Sequence, residues 1–205
     1  MERLVATAAV TLLGVVGAGA QITGSPHDFA GLDARRRICV FCHTPHNADL
    51  TVTDAPLWNH AVTTRTYSLY DSPTMDATTN QPTGASRLCL SCHDGSVAVD
   101  SYGGRAGTIF LAGPDAVGAD GLANDHPVSF QYTDALAIQD GQLHLPSSAP
   151  STLGGSINQD LLFNGSLECA SCHDVHNSGP ARAVNDSLLV ITQQGSRLCL
   201  TCHNL

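Results

Sequence analysis

Four copies of one five-residue pattern, Cys-x-x-Cys-His, contain the side chains of this sequence that are best suited to chemistry. The copies begin at residues 39, 89, 169 and 199, and together they use all eight cysteines. Two thiols at this spacing form thioether bonds to the two vinyl groups of a porphyrin, and the adjacent histidine binds its iron. The pattern therefore predicts four covalently bound haem c groups, attached through Cys39, Cys42, Cys89, Cys92, Cys169, Cys172, Cys199 and Cys202.

A zinc knuckle or a redox-active Cys-x-x-Cys pair is the alternative interpretation of a single copy. Four copies, each with histidine in the fifth position, favour haem attachment. The histidine of each motif is then the first axial ligand of one iron. These four predicted ligands are His43, His93, His173 and His203.

The second axial position of each iron also calls for a histidine, because methionine is almost absent from the chain. Outside the first twenty residues Met75 is the only methionine, whereas six histidines lie outside the motifs. We therefore predict that all four haems have two histidine ligands, which lowers their reduction potentials relative to His/Met sites. His144 is interpreted as a loop residue, which leaves five candidates for four positions: His27, His46, His60, His126 and His176.

An internal repeat divides the chain into two halves. Each half begins with a Cys-x-x-Cys-His-x-x-His site and continues to a Ser-Arg-Leu-Cys-Leu-x-Cys-His site. We interpret residues 21–205 as a single tetrahaem domain made of two dihaem modules, at about residues 27–100 and 125–205. Neither half is expected to have a side-chain core that is independent of its haems.

The composition predicts a fold with little regular structure. Aromatic residues make up 5% of the chain, which also contains 19 Gly and 10 Pro in 205 residues. So short a chain cannot enclose four porphyrins and build an ordinary core as well. We predict mostly irregular loops with short α-helices around a chain of four stacked c-type haems, and minimal β-structure. Short strands are predicted at residues 128–132 and 188–192.

The first twenty residues predict an export signal. An uncharged apolar run ends in Ala18-Gly19-Ala20, a small-residue cleavage site, and no later segment is apolar enough to span a membrane. The formal net charge of −9 argues against nucleic acid as a partner. We therefore expect an exported protein, either extracellular or on the outer cell surface, with the periplasm as the alternative.

Several longer segments carry a resemblance to a known family. They are Cys-x-x-Cys-His-Thr-Pro-His-Asn from Cys39, Leu57-Trp58-Asn59-His60, the ten residues from Ser86, Asp125-His126-Pro127-Val128, and Glu-Cys-Ala-Ser-Cys-His-Asp from Glu168. The chain resembles the extracellular multihaem cytochromes of metal-reducing bacteria, and among them the tetrahaem OmcE type, whose members polymerise into filaments. The resemblance implies bis-histidine haems and one axial histidine donated by the adjacent subunit.

Together these features predict an electron-transfer protein, not an enzyme, that forms a conductive haem filament. Its expected partners are other redox cytochromes or extracellular acceptors such as metal oxides, and further copies of itself through a contact between His27 and a haem of the next subunit. The alternative for His27 is that it binds the first haem of its own chain. A monomeric periplasmic electron shuttle is the alternative. A multihaem oxidoreductase fits less well, because such enzymes often use a lysine ligand and the chain has no lysine.

Overall fold

The structure, a computed structural model, describes residues 21–118, 120–177 and 187–204. Most of these residues lie in loops, as the sequence predicted, whereas stacking of haems stays a prediction. Five short helices occur within the described ranges: α1 (Gly84–His93), α2 (Asp134–Asp140), α3 (Ile157–Asp160), α4 (Cys169–Cys172) and α5 (Arg197–Cys202). Strands β1 (Phe130–Gln131) and β2 (Ser166–Leu167) form one antiparallel pair, and 3-10 turns span Ala30–Leu32, Cys39–Phe41 and Gln194–Ser196.

Helical turns coincide with the Cys-x-x-Cys-His motifs. Helix α1 contains the whole second motif, α4 and α5 contain the two cysteines of the third and fourth motifs, and the 3-10 turn Cys39–Phe41 contains the first three residues of the first motif. Residues three apart lie on the same side of a helical turn, so both thiols of a motif are presented to one side. This local geometry is what attachment of one porphyrin through two cysteines requires.

The two helices outside the motifs have sequence-encoded ends. In α2 the Thr133 side chain accepts a hydrogen bond from the N–H of Leu136, and Gly141 ends the helix in the left-handed conformation. Ser156 and Gln159 form a capping box at the start of α3. These caps stabilise helices that are too short to be stable alone.

The side-chain core is divided into small clusters. The largest joins α2, α3, β2 and the segment before α5, and its buried members are Tyr132, Ala137, Ile157, Leu161, Leu167 and Ile191. Two smaller clusters contain Val52, Trp58 and Leu88, and Tyr67, Leu90 and Leu122. Each smaller cluster includes one leucine of α1, so the helix of the second motif is held by packing on two sides.

The two strand predictions had different outcomes. Strand β1 lies within residues 128–132, which confirms that prediction in part. The prediction of a strand at residues 188–192 was wrong. Leu189 makes only an isolated bridge with His173, and Leu188 has φ 59°, a left-handed conformation that interrupts extended backbone.

Within the described ranges, no helix is long and apolar enough to cross a membrane. The predicted export signal lies outside the described residues. The boundaries of the two dihaem modules stay predictions.

Candidate haem-binding sites

Three of the four motif histidines are oriented by a backbone carbonyl. The Nδ1 atoms of His43, His93 and His173 lie 2.6, 2.7 and 2.8 Å from the carbonyl oxygens of Pro56, Asp115 and Ser187. A carbonyl oxygen only accepts, so Nδ1 donates its proton and Nε2 keeps a free lone pair. Fixing the tautomer and ring orientation in this way is the usual arrangement of a histidine that binds a metal through Nε2.

A returning chain segment holds the backbone of three motif histidines. His43 bridges Trp58, His173 bridges Leu189 and His203 bridges Leu143, all antiparallel. The N–H of the residue after the bridge donates to the carbonyl of the second cysteine, as Asn59 does to Cys42 at 2.9 Å. The motif histidine is thereby fixed both at its ring and at its backbone.

Three motif histidines also lie opposite a second histidine. The ring centroids of His43 and His176 are 6.0 Å apart, those of His27 and His93 are 6.0 Å apart, and those of His126 and His203 are 6.4 Å apart. An imidazole nitrogen binds a transition metal at about 2 Å, so two rings on opposite sides of one metal have centroids roughly 6 Å apart. All three distances match the separation of two axial ligands.

The environment of His27 fits a metal ligand. Its Nδ1 is buried and has no hydrogen-bond partner among the residues that the structure describes. Burial, and then the nearby His93 and His173, lower the pKa of His27 to about 4. Burial and His126 likewise lower the pKa of His203. At neutral pH these rings are therefore uncharged, which is the form that binds a metal.

The remaining histidines have different surroundings. His46 is exposed, on the loop after the first motif. His60 is buried, with Nδ1 2.7 Å from the Ala61 carbonyl oxygen and Nε2 3.0 Å from that of Ala98. His144 is tied to the fourth motif through a hydrogen bond from its N–H to the Cys202 carbonyl. The roles predicted for all five distal candidates stay predictions.

Burial keeps the second cysteine of each motif protonated. It raises the pKa of Cys42 and Cys172 to about 11 and that of Cys92 and Cys202 to about 12. A redox-active Cys-x-x-Cys pair instead stabilises its thiolate. The pKa of Cys169, the first cysteine of the third motif, is lowered, chiefly by a hydrogen bond from the Cys89 thiol. In the part of the chain that the structure describes, no group of three or more His, Cys, Asp or Glu side chains converges as a metal site.

The second and third motifs are joined by a buried carboxylate. Glu168 accepts hydrogen bonds from the N–H and hydroxyl of Ser86 and, at 2.9 Å, from the hydroxyl of Ser129. The Ser86 hydroxyl oxygen in turn accepts from the N–H of Cys169 at 2.9 Å. Sequence reasoning missed Glu168 as a structural residue, although it is the only glutamate after Glu2.

The comparison with protein families agrees with the geometry. Residues 163–204 match the family model described as the doubled CXXCH motif, and this range contains the third and fourth sites. None of the curated proteins compared with the chain matches it. With the free thiols, the oriented rings and the opposed histidines, the residues fit covalently bound haem c. The doubled motif indicates a multihaem c-type cytochrome that binds haem and transfers electrons.

Proposed function

We propose that this chain is a tetrahaem c-type cytochrome that transfers single electrons, with two cysteines and two histidines bound to each haem. The observation that carries the proposal is the opposition of a motif histidine and a distal histidine in three separate places, at 6.0 to 6.4 Å. Surface histidines that bind no metal are not expected to lie at this distance from a motif histidine in three separate places. The number of haems follows from the four complete motifs.

The ring pairs support a choice of ligands for three of the four haems. The first haem is bound by His43 and His176, the second by His93 and His27, and the fourth by His203 and His126. The iron of a bound haem supplies the one-electron chemistry, and the protein sets its potential through ligand type, burial and hydrogen bonding. Hydrogen bonds from Nδ1 to backbone carbonyls raise the basicity of the motif histidines, which further favours the oxidised iron.

Outside the cytoplasm, we propose that copies of the chain assemble into a haem filament that passes electrons to other redox cytochromes or to acceptors such as metal oxides. The supports are the apolar run and small-residue cleavage site in residues 1–20, the net charge of −9 and the resemblance to filament-forming cytochromes. A contact in which His27 binds a haem of the next subunit is one way to propagate such a polymer.

The pairing of His27 with His93 favours a second candidate, a monomeric electron shuttle. If His27 binds a haem of its own chain, that haem is complete without a neighbouring subunit. The shuttle performs the same chemistry and differs only in assembly. Electron micrographs of material sheared from cells distinguish the two.

Mass spectrometry and spectroscopy of the purified holoprotein test the haem assignment. We expect a mass that corresponds to four added haems and the loss of residues 1–20. We also expect low-spin, six-coordinate spectra with slow binding of carbon monoxide after reduction. His126→Ala should create one high-spin haem that binds carbon monoxide rapidly. Fewer haems, or rapid stoichiometric binding in the unaltered protein, would contradict the proposal.

A further inference from the structure

The loops after the first and third motifs are structural copies of each other. The His43 ring bonds to the carbonyl of Pro56 and that of His173 to the carbonyl of Ser187, and the next residue in each returning segment, Leu57 or Leu188, has an unusual positive φ of 52° or 59°. Thr44 donates its N–H to Leu57 at 2.9 Å, as Asp174 does to Leu188 at 2.7 Å. The repeat therefore extends well beyond the five-residue motif.

The histidine three residues after each of these motifs is held in the same way. The N–H of His46 donates to the Thr44 hydroxyl at 3.4 Å, and that of His176 donates to the Asp174 carboxylate at 2.9 Å. Both loops then turn at an asparagine with positive φ, Asn47 at 57° and Asn177 at 48°. His46 and His176 thus occupy equivalent positions in the two copies.

One contact between the copies is already formed. The His176 ring, from the copy at the third motif, lies 6.0 Å from the His43 ring of the first, with the two planes 13° apart. When two copies pack about a two-fold axis, a contact from one position to another is accompanied by the reciprocal contact. The reciprocal of His176 with His43 is His46 with His173.

We infer that His46 is the second axial ligand of the haem attached at Cys169 and Cys172, so that the first and third sites exchange their distal histidines. This inference rests on the proposed tetrahaem function. Among the described residues a ring contact joins His43 to His176 but not His46 to His173, and the His46 side chain is exposed. The exchange makes each of these two haems depend on both halves of the chain.

The surroundings of the other histidines support this choice. His27 and His126 already face His93 and His203. Both ring nitrogens of His60 lie against backbone carbonyl oxygens, and the backbone of His144 is bound to the fourth motif. His27 also lies near His173, but its ring contact is with His93, which leaves His46 as the distal histidine for His173.

Paired variants in two haem-deficient backgrounds test the exchange. Cys169→Ser with Cys172→Ser removes the attachment of the third haem, and Cys39→Ser with Cys42→Ser removes that of the first. In the full chain, His46→Ala and the matched control His176→Ala should each convert one haem of four to high spin. Without the third haem, His46→Ala should add no high-spin signal, whereas His176→Ala still does. Without the first haem, His176→Ala should add no high-spin signal, whereas His46→Ala still does.

The opposite pattern, or a low-spin His46→Ala protein in the full chain, would overturn the inference. If a haem-deficient chain fails to mature, the His46→Met variant of the tetrahaem protein provides the test instead. NMR should then show shifts of the haem methyl signals that have Overhauser contacts to Cys169 and Cys172, with a raised potential at one haem. Shifts at the Cys39 and Cys42 haem would reject the exchange.

The dependence on concentration separates ligation within the chain from donation to a second copy. Dilution of the unaltered protein to monomers should leave all haems low-spin. If dilution of the unaltered protein produces a high-spin haem, and undiluted His46→Ala already contains the same high-spin haem, then His46 binds a haem of a neighbouring copy. Failure of the proposed function would give a different result. The unaltered protein would then carry fewer than four haems, or it would contain high-spin iron at every concentration.

Discussion

Ser86 and Glu168 form a buried hydrogen bond that joins the residues immediately upstream of the second and third motifs. Ser86 is fully buried and Glu168 is 3% exposed, and the carboxylate accepts from both the backbone N–H and the hydroxyl of this serine. A further bond comes from Ser129, next to β1. Helices α1 and α4 are therefore fixed to each other through polar contacts.

Glu168→Ala should destabilise the holoprotein. Ser86 and Ser129 would each lose a charged acceptor while buried, so we expect the free energy of unfolding to fall by roughly 2–4 kcal/mol. Denaturant titration, followed by haem absorbance, measures the change. The exposed Asp71→Asn provides the control and should stay within about 0.5 kcal/mol of the unaltered protein. Equal stability of the two variants would show that Glu168 does not hold the motifs together.

His60 should act as a structural residue. Its two ring nitrogens contact the carbonyls of Ala61 and Ala98, and the side chain is 3% exposed. We expect His60→Ala to leave all four haems low-spin while lowering the free energy of unfolding by roughly 2–4 kcal/mol through a lost hydrogen bond and lost packing. Electron paramagnetic resonance and denaturant titration test both parts.

The control for His60→Ala is His126→Ala, which should create one high-spin haem. A high-spin signal in the His60 variant as well would restore His60 to the axial ligands that the sequence predicted.

Asp33 makes the stability of the N-terminal loop dependent on pH. Its carboxylate accepts from the Arg37 side chain at 2.8 and 3.0 Å and from the Tyr102 hydroxyl at 3.0 Å. The side chain and the N–H of Arg37 hold the pKa of Asp33 well below its usual range. A carboxyl with a depressed folded pKa contributes stability above its unfolded pKa of about 3.9, and this is lost as the pH falls.

Asp33→Asn should therefore cost more stability at about pH 6 than at about pH 3. Arg37→Gln should also make the free energy of unfolding less dependent on pH, because it removes the two guanidinium donors that bond to the Asp33 carboxylate. Unfolding curves of the holoproteins across this range provide the measurement. If the difference between Asp33→Asn and the unaltered protein is constant with pH, the carboxylate does not contribute through its ionisation.

The local chemistry of the sites could be predicted from the sequence, because attachment depends on residues within one helical turn. The cysteines of the last three motifs lie in helices and the first motif begins with a 3-10 turn, and residues 128–132, predicted to be a strand, contain β1. The strand predicted at residues 188–192 was wrong, because Leu188 has a left-handed φ and Leu189 makes an isolated bridge with His173 in place of a ladder.

The partners of the histidines could not be predicted in the same way. His27 meets His93 and His43 meets His176 across long stretches of chain. Sequence spacing fixes contacts within an element, but it does not fix how loops return to each other. The carbonyls that orient the motif histidines are also invisible in the sequence, since every residue has one. The sequence repeat predicted that His46 and His176 are equivalent, whereas the matching positive φ of Leu57 and Leu188 in the returning segments is visible only in the structure.

The position of His27 determines how assembly and ligation are coupled. The sequence left two arrangements open, a contact with a haem of the next subunit and ligation of the first haem of the same chain, and the structure places this ring 6.0 Å from His93 of the second motif. Ligation between subunits and ligation within one chain can be distinguished by experiment. They differ in whether loss of the side chain separates the subunits.

His27→Ala should produce one high-spin haem at the second motif, because the His93 iron loses its opposite ligand. If ligation is within the chain, any filaments should persist. In a chain that lacks the second haem through Cys89→Ser and Cys92→Ser, His27→Ala should then add no high-spin signal. Electron microscopy and paramagnetic resonance on the same preparation measure both properties. Dispersed monomers with one high-spin haem would instead support the bridge between subunits. Intact filaments with four low-spin haems would remove His27 from the ligands altogether and leave His93 to a different histidine.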